Sequence, residues 1–178
     1  PARWRPFQLA FILQSIQGIA NPGHAERSIV DLLWYPTGGG KTEAYLGLTA
    51  FTIALRRLWG VRNGLDYRVG SAVLMRYTLR LLTIQQFQRA AALMCAAELI
   101  RSKDEACWGD EPITIGLWVG QSVTPNDYAG SKKALETLKT PGGQVYRSSP
   151  YQMSNCPWCG TDIAARNYIS DDQLRRTR

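Results

Sequence analysis

The chain has 178 residues, 45% of them apolar, which suits one globular domain with or without a small insertion. No apolar run approaches the roughly 18 residues that a membrane-spanning helix needs, so no membrane partner is expected. The formal net charge of +7 favours a polyanionic partner, although a solvated basic surface would have the same composition.

The first predicted element is a helix over residues 4–19, in which apolar side chains recur at helical spacing. Residues 21–23, Asn-Pro-Gly, form a turn sequence that ends it. Gln8, near the start of this helix, carries an amide that can donate and accept hydrogen bonds along one edge of adenine. A glutamine that only faces solvent is the alternative.

A glycine-rich motif follows a predicted buried strand over residues 29–34 and precedes a predicted helix over residues 43–59. This is the setting of a phosphate-binding loop, in which backbone N–H groups and the positive end of the helix dipole face the anion. There, Lys41 can reach the β- and γ-phosphates and the Thr42 hydroxyl can hold magnesium, so both are candidate catalytic residues. The candidate ligands of ATP are Thr37, Gly38, Gly39, Gly40, Lys41 and Thr42. An ordinary strand-to-helix turn is the alternative.

The loop sequence, Pro-Thr-Gly-Gly-Gly-Lys-Thr over residues 36–42, resembles the first motif of superfamily 2 helicases. Tyr35 departs from that motif, because these helicases usually carry a small residue at this position. The segment around Gln8 resembles the glutamine motif that precedes the phosphate loop in the same helicases.

A second strand, predicted over residues 71–76, leads into a helix predicted over residues 79–101, with Thr78 as its N-cap. This junction resembles the second helicase motif, in which a threonine at the strand end contacts the nucleic-acid backbone. Because basic and amide groups suited to phosphate oxygens surround it, the candidate DNA contacts are Arg76, Thr78, Arg80 and Gln85. Helix capping with exposed polar side chains is the alternative.

A third strand, predicted over residues 113–119, ends at Gly120, which would allow close approach of a ligand to the backbone. In superfamily 2 helicases a glycine in this region lies beside the nucleic-acid track, so Gly120 is a further candidate DNA contact. The acidic motif that holds magnesium in these enzymes is missing, because Asp110 and Glu111 precede the strand instead of following it.

A turn sequence at residues 141–143 marks an expected domain boundary. Beyond it, Cys156 and Cys159 are separated by two residues and followed by Gly160, which is the spacing of a zinc knuckle. A structural zinc site needs four ligands, so two more are expected beyond the chain. A redox pair and an unmetallated turn are the alternatives. Four cysteines at uneven spacing do not indicate a secreted disulfide scaffold, so we expect a cytoplasmic protein.

Five motifs in this order together resemble the DrmA-like helicase component of the bacterial DISARM anti-phage system. They occupy residues 4–11, 32–48, 75–83 with 85–89, 116–120 and 156–160. The resemblance covers essentially the whole chain and implies an α/β, RecA-like P-loop NTPase domain, with a parallel sheet between two layers of helices. Residues 1–143 would then be the N-terminal part of the first RecA-like domain, and residues 144–178 the start of a zinc-knuckle insertion.

The resemblance also implies a DNA-dependent ATPase that acts against phage DNA together with a second DISARM protein. ATP, magnesium and a structural zinc would be its cofactors, and DNA that is single-stranded or has a single-stranded end would be its nucleic-acid partner. The acidic motif and a second RecA-like domain are absent from the sequence, so we expect a fragment that hydrolyses ATP poorly by itself. A non-catalytic nucleic-acid-binding module and a P-loop small-molecule kinase are the alternatives.

Overall fold

The computed structural model describes residues 3–77, 80–144, 148–173 and 176–177, with residues 80–83 and 176–177 described by their backbone alone. The chain packs as two compact units. The first comprises Pro1–Gln86 and Leu93–Thr114, and the second comprises Phe87–Ala92 and Ile115–Arg178. No helix among the described residues has both the length and the apolar character that a membrane span requires. The domain boundary expected near residue 143 stays a prediction.

Two long helices form the frame of the first unit: α1 spans Pro6–Ala20 and α2 spans Lys41–Trp59. Proline suits the first turn of α1, because the N–H group that it lacks would have no helical partner there. The helices pack closely at Gly47, where a Cβ atom would lie 2.9 Å from side-chain atoms of both Trp4 and Ile12. A larger residue at this position would therefore have to displace the side chains of Trp4 and Ile12.

α1 and α2 run in the same direction. At their N-terminal ends, the Gln8 side chain contacts the backbone of Gly40, which directly precedes α2. At their C-terminal ends, Ala20 and Trp59 line the same cleft. Because α2 has 19 residues, it is about 28 Å long. The glycine-rich loop and the cleft therefore lie at opposite ends of the helix pair.

The paired strands are short and antiparallel. β1 (Val61–Arg62) pairs with β2 (Leu65–Asp66), and β3 (Ser170–Asp171) pairs with β4 (Arg176–Thr177). Asn63 and Gly64, between β1 and β2, have φ angles of 52° and 76°, as a tight two-residue hairpin turn requires.

The three segments that the sequence predicts as buried strands, residues 29–34, 71–76 and 113–119, have no strand partner within the described part of the chain. Their five most exposed apolar residues are between 82% and 98% exposed: Val30, Leu32, Trp34, Leu74 and Trp118. A parallel strand depends on hydrogen bonds from neighbouring strands and on helices that cover both faces. An apolar run provides neither by itself, and the RecA-like parallel sheet stays a prediction.

An ion-pair network fixes the end of the first unit. It involves two further helices, α3 (Arg80–Arg101) and α4 (Glu105–Trp108). The Arg101 guanidinium donates to the two carboxylate oxygens of Glu98 at 2.7 and 2.8 Å and to Glu105 at 3.2 Å. Glu98 also accepts a 2.8 Å hydrogen bond from the backbone N–H of Ile113. The network therefore holds the segment after α4 against α3.

Glu98→Gln is expected to lower the free energy of unfolding by about 1 kcal/mol at neutral pH, a modest value because solvent partly screens this pair. Hydrogen bonds from Arg101 are the largest cause that lowers the pKa of Glu98 below its ordinary value of 4.5. The stabilisation is therefore present above pH 4.5 and is lost as the pH falls through the folded-state pKa. Urea unfolding of the full-length protein between pH 6 and pH 3 would measure it. The exposed Glu136→Gln is the control, and an equal loss in both variants would contradict the prediction.

One helix, α5 (Tyr128–Lys139), organises the second unit. The carboxylate of Asp127 caps it by accepting a 2.7 Å hydrogen bond from the N–H group of Gly130. Lys132 pairs with Asp172 at 2.8 Å and so ties α5 to the β3–β4 hairpin. Two single turns of 3-10 helix complete the described elements, one in each unit: Ala25–Ser28 and Ala165–Asn167.

Candidate nucleotide-binding loop and cysteine turn

The glycine-rich loop turns tightly into the N-terminus of α2. Gly38 and Gly40 have φ angles of 79° and 96°, which side chains disfavour, and Gly40 is the residue that directly precedes the helix. The N–H group of Gly39 donates to the carbonyl oxygen of Pro36 at 3.0 Å and closes the turn. The positive end of the α2 dipole therefore lies at the candidate phosphate position.

Gln8 of α1 holds this loop from one side. Its side chain is only 4% exposed. The Oε1 atom accepts from the backbone N–H of Arg5 at 2.8 Å, and the Nε2 atom donates to the carbonyl oxygen of Gly40 at 2.7 Å. Gln8 thus faces the loop and not solvent. One N–H group of its amide and one lone pair of its oxygen remain for other partners, and its contact with adenine stays a prediction.

Arg5 is a loop contact that sequence reasoning missed. Its guanidinium donates to the carbonyl oxygen of Gly39 at 2.8 Å. Together with Gln8, it places two donors from the start of α1 on two successive loop carbonyls. The only sequence signal for this contact was the position of Arg5 three residues before Gln8, at the start of the same predicted helix.

Tyr35, which departs from the helicase motif, packs against the start of α1. Its ring stacks on Phe7 with centroids 3.7 Å apart and planes 13° apart. The same ring covers Gly39 so closely that a Cβ atom there would lie 2.4 Å from it. The large residue at position 35 is therefore accommodated because position 39 has no side chain.

The Lys41 ammonium lies over the turn that precedes it. Its Nζ atom donates to the carbonyl oxygens of Tyr35 and Pro36, the latter at 3.2 Å. A phosphate ligand would have to replace these carbonyls as the acceptor. Thr42 is half-buried in the first turn of α2, and Thr37 is exposed. The predicted loop residues therefore lie together around one turn.

The candidate DNA contacts are distributed over both units. Arg76 and Gln85 are exposed in the first unit, and Gly120 is exposed in the second. The carbonyl oxygen of Gly120 accepts hydrogen bonds from the next turn of the backbone. Thr78 lies outside the described residues, and only the backbone of Arg80 is described. The contacts of all five with DNA stay predictions.

The Cys156–Cys159 segment forms a tight hairpin turn. The Cys156 N–H donates to the carbonyl oxygen of Thr161 at 2.8 Å, and the Gly160 N–H donates back to the carbonyl oxygen of Cys156 at 2.9 Å. Gly160 has a φ angle of 76°, which a residue with a side chain would rarely adopt. This is the local geometry that zinc knuckles use to bring two sulfur atoms to one side.

The surroundings of Cys159 favour its thiolate form. Hydrogen bonds from Thr161, through its side chain and then its backbone, lower the pKa of the Cys159 thiol, and Cys156 adds a smaller contribution. Thiolate is the form of cysteine that binds zinc. Within the described residues, however, no group of three or more His, Cys, Asp or Glu side chains is arranged to hold a metal. The turn therefore fits two of the four ligands of a structural zinc site.

Comparison with known proteins gives one informative similarity. DISARM protein DrmA from Bacillus paralicheniformis is 44% identical over 162 residues, which covers 89% of this chain and 14% of that protein. The chain thus spans 14% of the length of this relative. No protein-family model matches the chain. No solved structure matches it either.

Proposed function

Because this chain is DrmA-like over most of its length, we propose that it supplies the ATP-binding half of the first motor domain of a DNA-dependent ATPase in bacterial anti-phage defence. The identity to DISARM protein DrmA supports the role in defence. The proposal of ATP binding is supported by the loop geometry at the N-terminus of α2. One turn there combines two glycines with positive φ angles, a lysine and the positive end of a helix dipole.

Each loop residue has a defined task in this proposal. When bound, ATP with magnesium supplies the phosphoryl group and the cation that stabilises its developing charge. The Lys41 ammonium, which donates hydrogen bonds to two backbone carbonyls, would donate to phosphate oxygens instead. The Thr42 hydroxyl would hold the magnesium ion. Gln8 uses its remaining N–H group and lone pair to contact adenine while it holds Gly40 in place.

The proposed nucleic-acid partner is DNA that is single-stranded or has a single-stranded end. Arg76, Arg80 and Gln85, with Thr78 and Gly120, would contact the sugar–phosphate backbone, so binding would tolerate changes in sequence and weaken with salt. The net charge of +7 supports such a partner. A second DISARM protein is the proposed protein partner, as the system named for the relative suggests.

The deciding experiment is ATP hydrolysis by the full-length protein with and without single-stranded DNA. Stimulation of turnover by DNA supports a motor. Turnover that is independent of DNA would indicate a P-loop enzyme that acts on a small molecule. DNA binding without any turnover would indicate a binding module and would contradict the proposed ATPase.

We further propose that Cys156 and Cys159 bind a structural zinc ion with two ligands from elsewhere in the full-length protein. Cys156→Ser is expected to lower the zinc content by about one equivalent per protein, because a structural site rarely keeps its metal after the loss of a thiolate. Metal analysis after dialysis would measure it. Cys107→Ser, which removes another exposed cysteine, is the control. An unchanged zinc content in Cys156→Ser would contradict the site.

A further inference from the structure

Two aromatic rings meet at the C-terminal end of α2, away from the glycine-rich loop: Trp59, the last residue of the helix, and Tyr67, which follows β2. The β1–β2 hairpin turns the chain back on the helix, and the N–H group of Tyr67 donates to the carbonyl oxygen of Gly60 at 2.9 Å. This places the ring of Tyr67 edge-to-face with Trp59, with centroids 5.0 Å apart and planes 78° apart. The hairpin therefore builds an aromatic corner at the end of the helix.

Arginine side chains extend this corner. The guanidinium of Arg62 lies 5.6 Å from the centroid of Trp59, and that of Arg56 lies 6.0 Å from the centroid of Tyr67. Arg56 is held in place by a 2.7 Å hydrogen bond to the carbonyl oxygen of Val69. Positive charge thus accompanies both rings, which favours a ligand that is aromatic and anionic at once.

The corner forms one wall of a cleft of about 360 Å³, near the lower end of the size range of small-molecule sites. The end of α1 forms the other wall. The lining includes Asn21, Pro22, Trp59, Arg62, Asn63 and Tyr67, with no acidic side chain among the residues that line it. Asn21 uses its Oδ1 atom to accept from the N–H group of Gly23 at 3.0 Å, which leaves its NH₂ group as a donor.

From these contacts we propose that the cleft binds a nucleotide, with an unstacked base against Trp59 and Tyr67 and its phosphate at Arg62. Aromatic rings bind any base through stacking, amide side chains pair with base edges, and a guanidinium binds phosphate. The length of α2, about 28 Å, separates this site from the phosphate loop. The nucleotide can be a free mononucleotide or part of a single strand, and neither case requires ATP hydrolysis.

The test measures fluorescence anisotropy of a labelled single-stranded DNA of about 12 nucleotides with the full-length protein in the absence of ATP. Lys41→Ala is present in every variant, so that the phosphate loop contributes little. Trp59→Leu is expected to weaken binding about tenfold through lost stacking. Arg62→Ala, at an exposed position that should not disturb folding, is expected to weaken it about threefold to tenfold.

Lys103→Ala is the matched control, because it removes one exposed positive charge that does not line the cleft. A change in DNA affinity of less than about twofold in Lys103→Ala supports a site at Arg62. An equal loss of affinity in Lys103→Ala and Arg62→Ala would overturn the proposal, because it would indicate general charge attraction. A strand with abasic sugars must lose most of the Trp59 effect, and an undiminished effect would also overturn the proposal. If AMP competes with the labelled strand, the cleft binds mononucleotides. If AMP does not compete but Arg62→Ala still weakens DNA binding, the cleft binds only nucleotides that are part of a strand.

The outcome of this test is separate from that of the proposed motor. DNA-stimulated ATP hydrolysis with no effect of Arg62→Ala on DNA binding would contradict the nucleotide site in the cleft and support the proposed motor. DNA binding that depends on Arg62 and Trp59, in a protein that does not hydrolyse ATP, would support the nucleotide site and contradict the proposed motor.

Discussion

Lys41→Ala in the full-length protein is expected to lower the rate of ATP hydrolysis at least about a hundredfold, both with and without DNA. Lys41 follows the loop directly, and its ammonium already bonds two backbone carbonyls of the turn. Alanine would leave the charge that develops on the transferred phosphate without this partner. Steady-state phosphate release in the presence and absence of single-stranded DNA measures the effect.

Lys103→Ala is the control for Lys41→Ala, because it removes the same charge from an exposed position outside the loop. It should hydrolyse ATP at the rate of the wild type. DNA binding without nucleotide should be similar in all three proteins, because Lys41 is assigned to phosphate of ATP and not to DNA. Hydrolysis that survives in Lys41→Ala would place the nucleotide at another site and contradict the assignment of the loop.

The grouping of the loop residues could be predicted from sequence because it depends on neighbours in the chain. Gly38 and Gly40 adopt positive φ angles that few other residues tolerate, and α2 begins directly after them. A tight turn into a helix N-terminus requires only this local arrangement. The hairpin turn at Cys156 and Cys159 was predictable for the same reason, since Gly160 supplies the positive φ angle that follows the second cysteine.

The supports of the loop could not be predicted, because they come from a segment about 30 residues earlier in the chain. The bond from Arg5 to Gly39 and the stacking of Phe7 on Tyr35 exist only after α1 packs beside α2. Sequence spacing shows that such residues precede the loop but not which of their atoms face it. Gln8 illustrates the limit, since its partner in the structure is a loop carbonyl, which the sequence did not indicate.

The three predicted strands show a different limit. Residues 29–34, 71–76 and 113–119 are apolar enough for the interior of a sheet, yet Trp118, for example, is 98% exposed. Hydrophobic composition predicts that a segment is buried on folding, but pairing needs a second strand in register.

Gly40→Ala is expected to weaken nucleotide binding by about tenfold or more and to lower the free energy of unfolding by about 1–2 kcal/mol. The φ angle of 96° at Gly40 strains any residue with a Cβ atom. A Cβ atom there would also lie 2.7 Å from Nε2 of Gln8, the group that donates to the carbonyl oxygen of Gly40. The substitution therefore disturbs both the loop backbone and its support from α1.

Gly18→Ala is the matched control for Gly40→Ala. Gly18 lies within α1, and no atom lies within 4 Å of the methyl group that alanine would add. Gly18→Ala should therefore stabilise the helix by about 0.5–1 kcal/mol. Calorimetric titration with a non-hydrolysable ATP analogue and urea unfolding of the full-length protein separate the two effects, and wild-type affinity in Gly40→Ala would show that this glycine does not shape the nucleotide site.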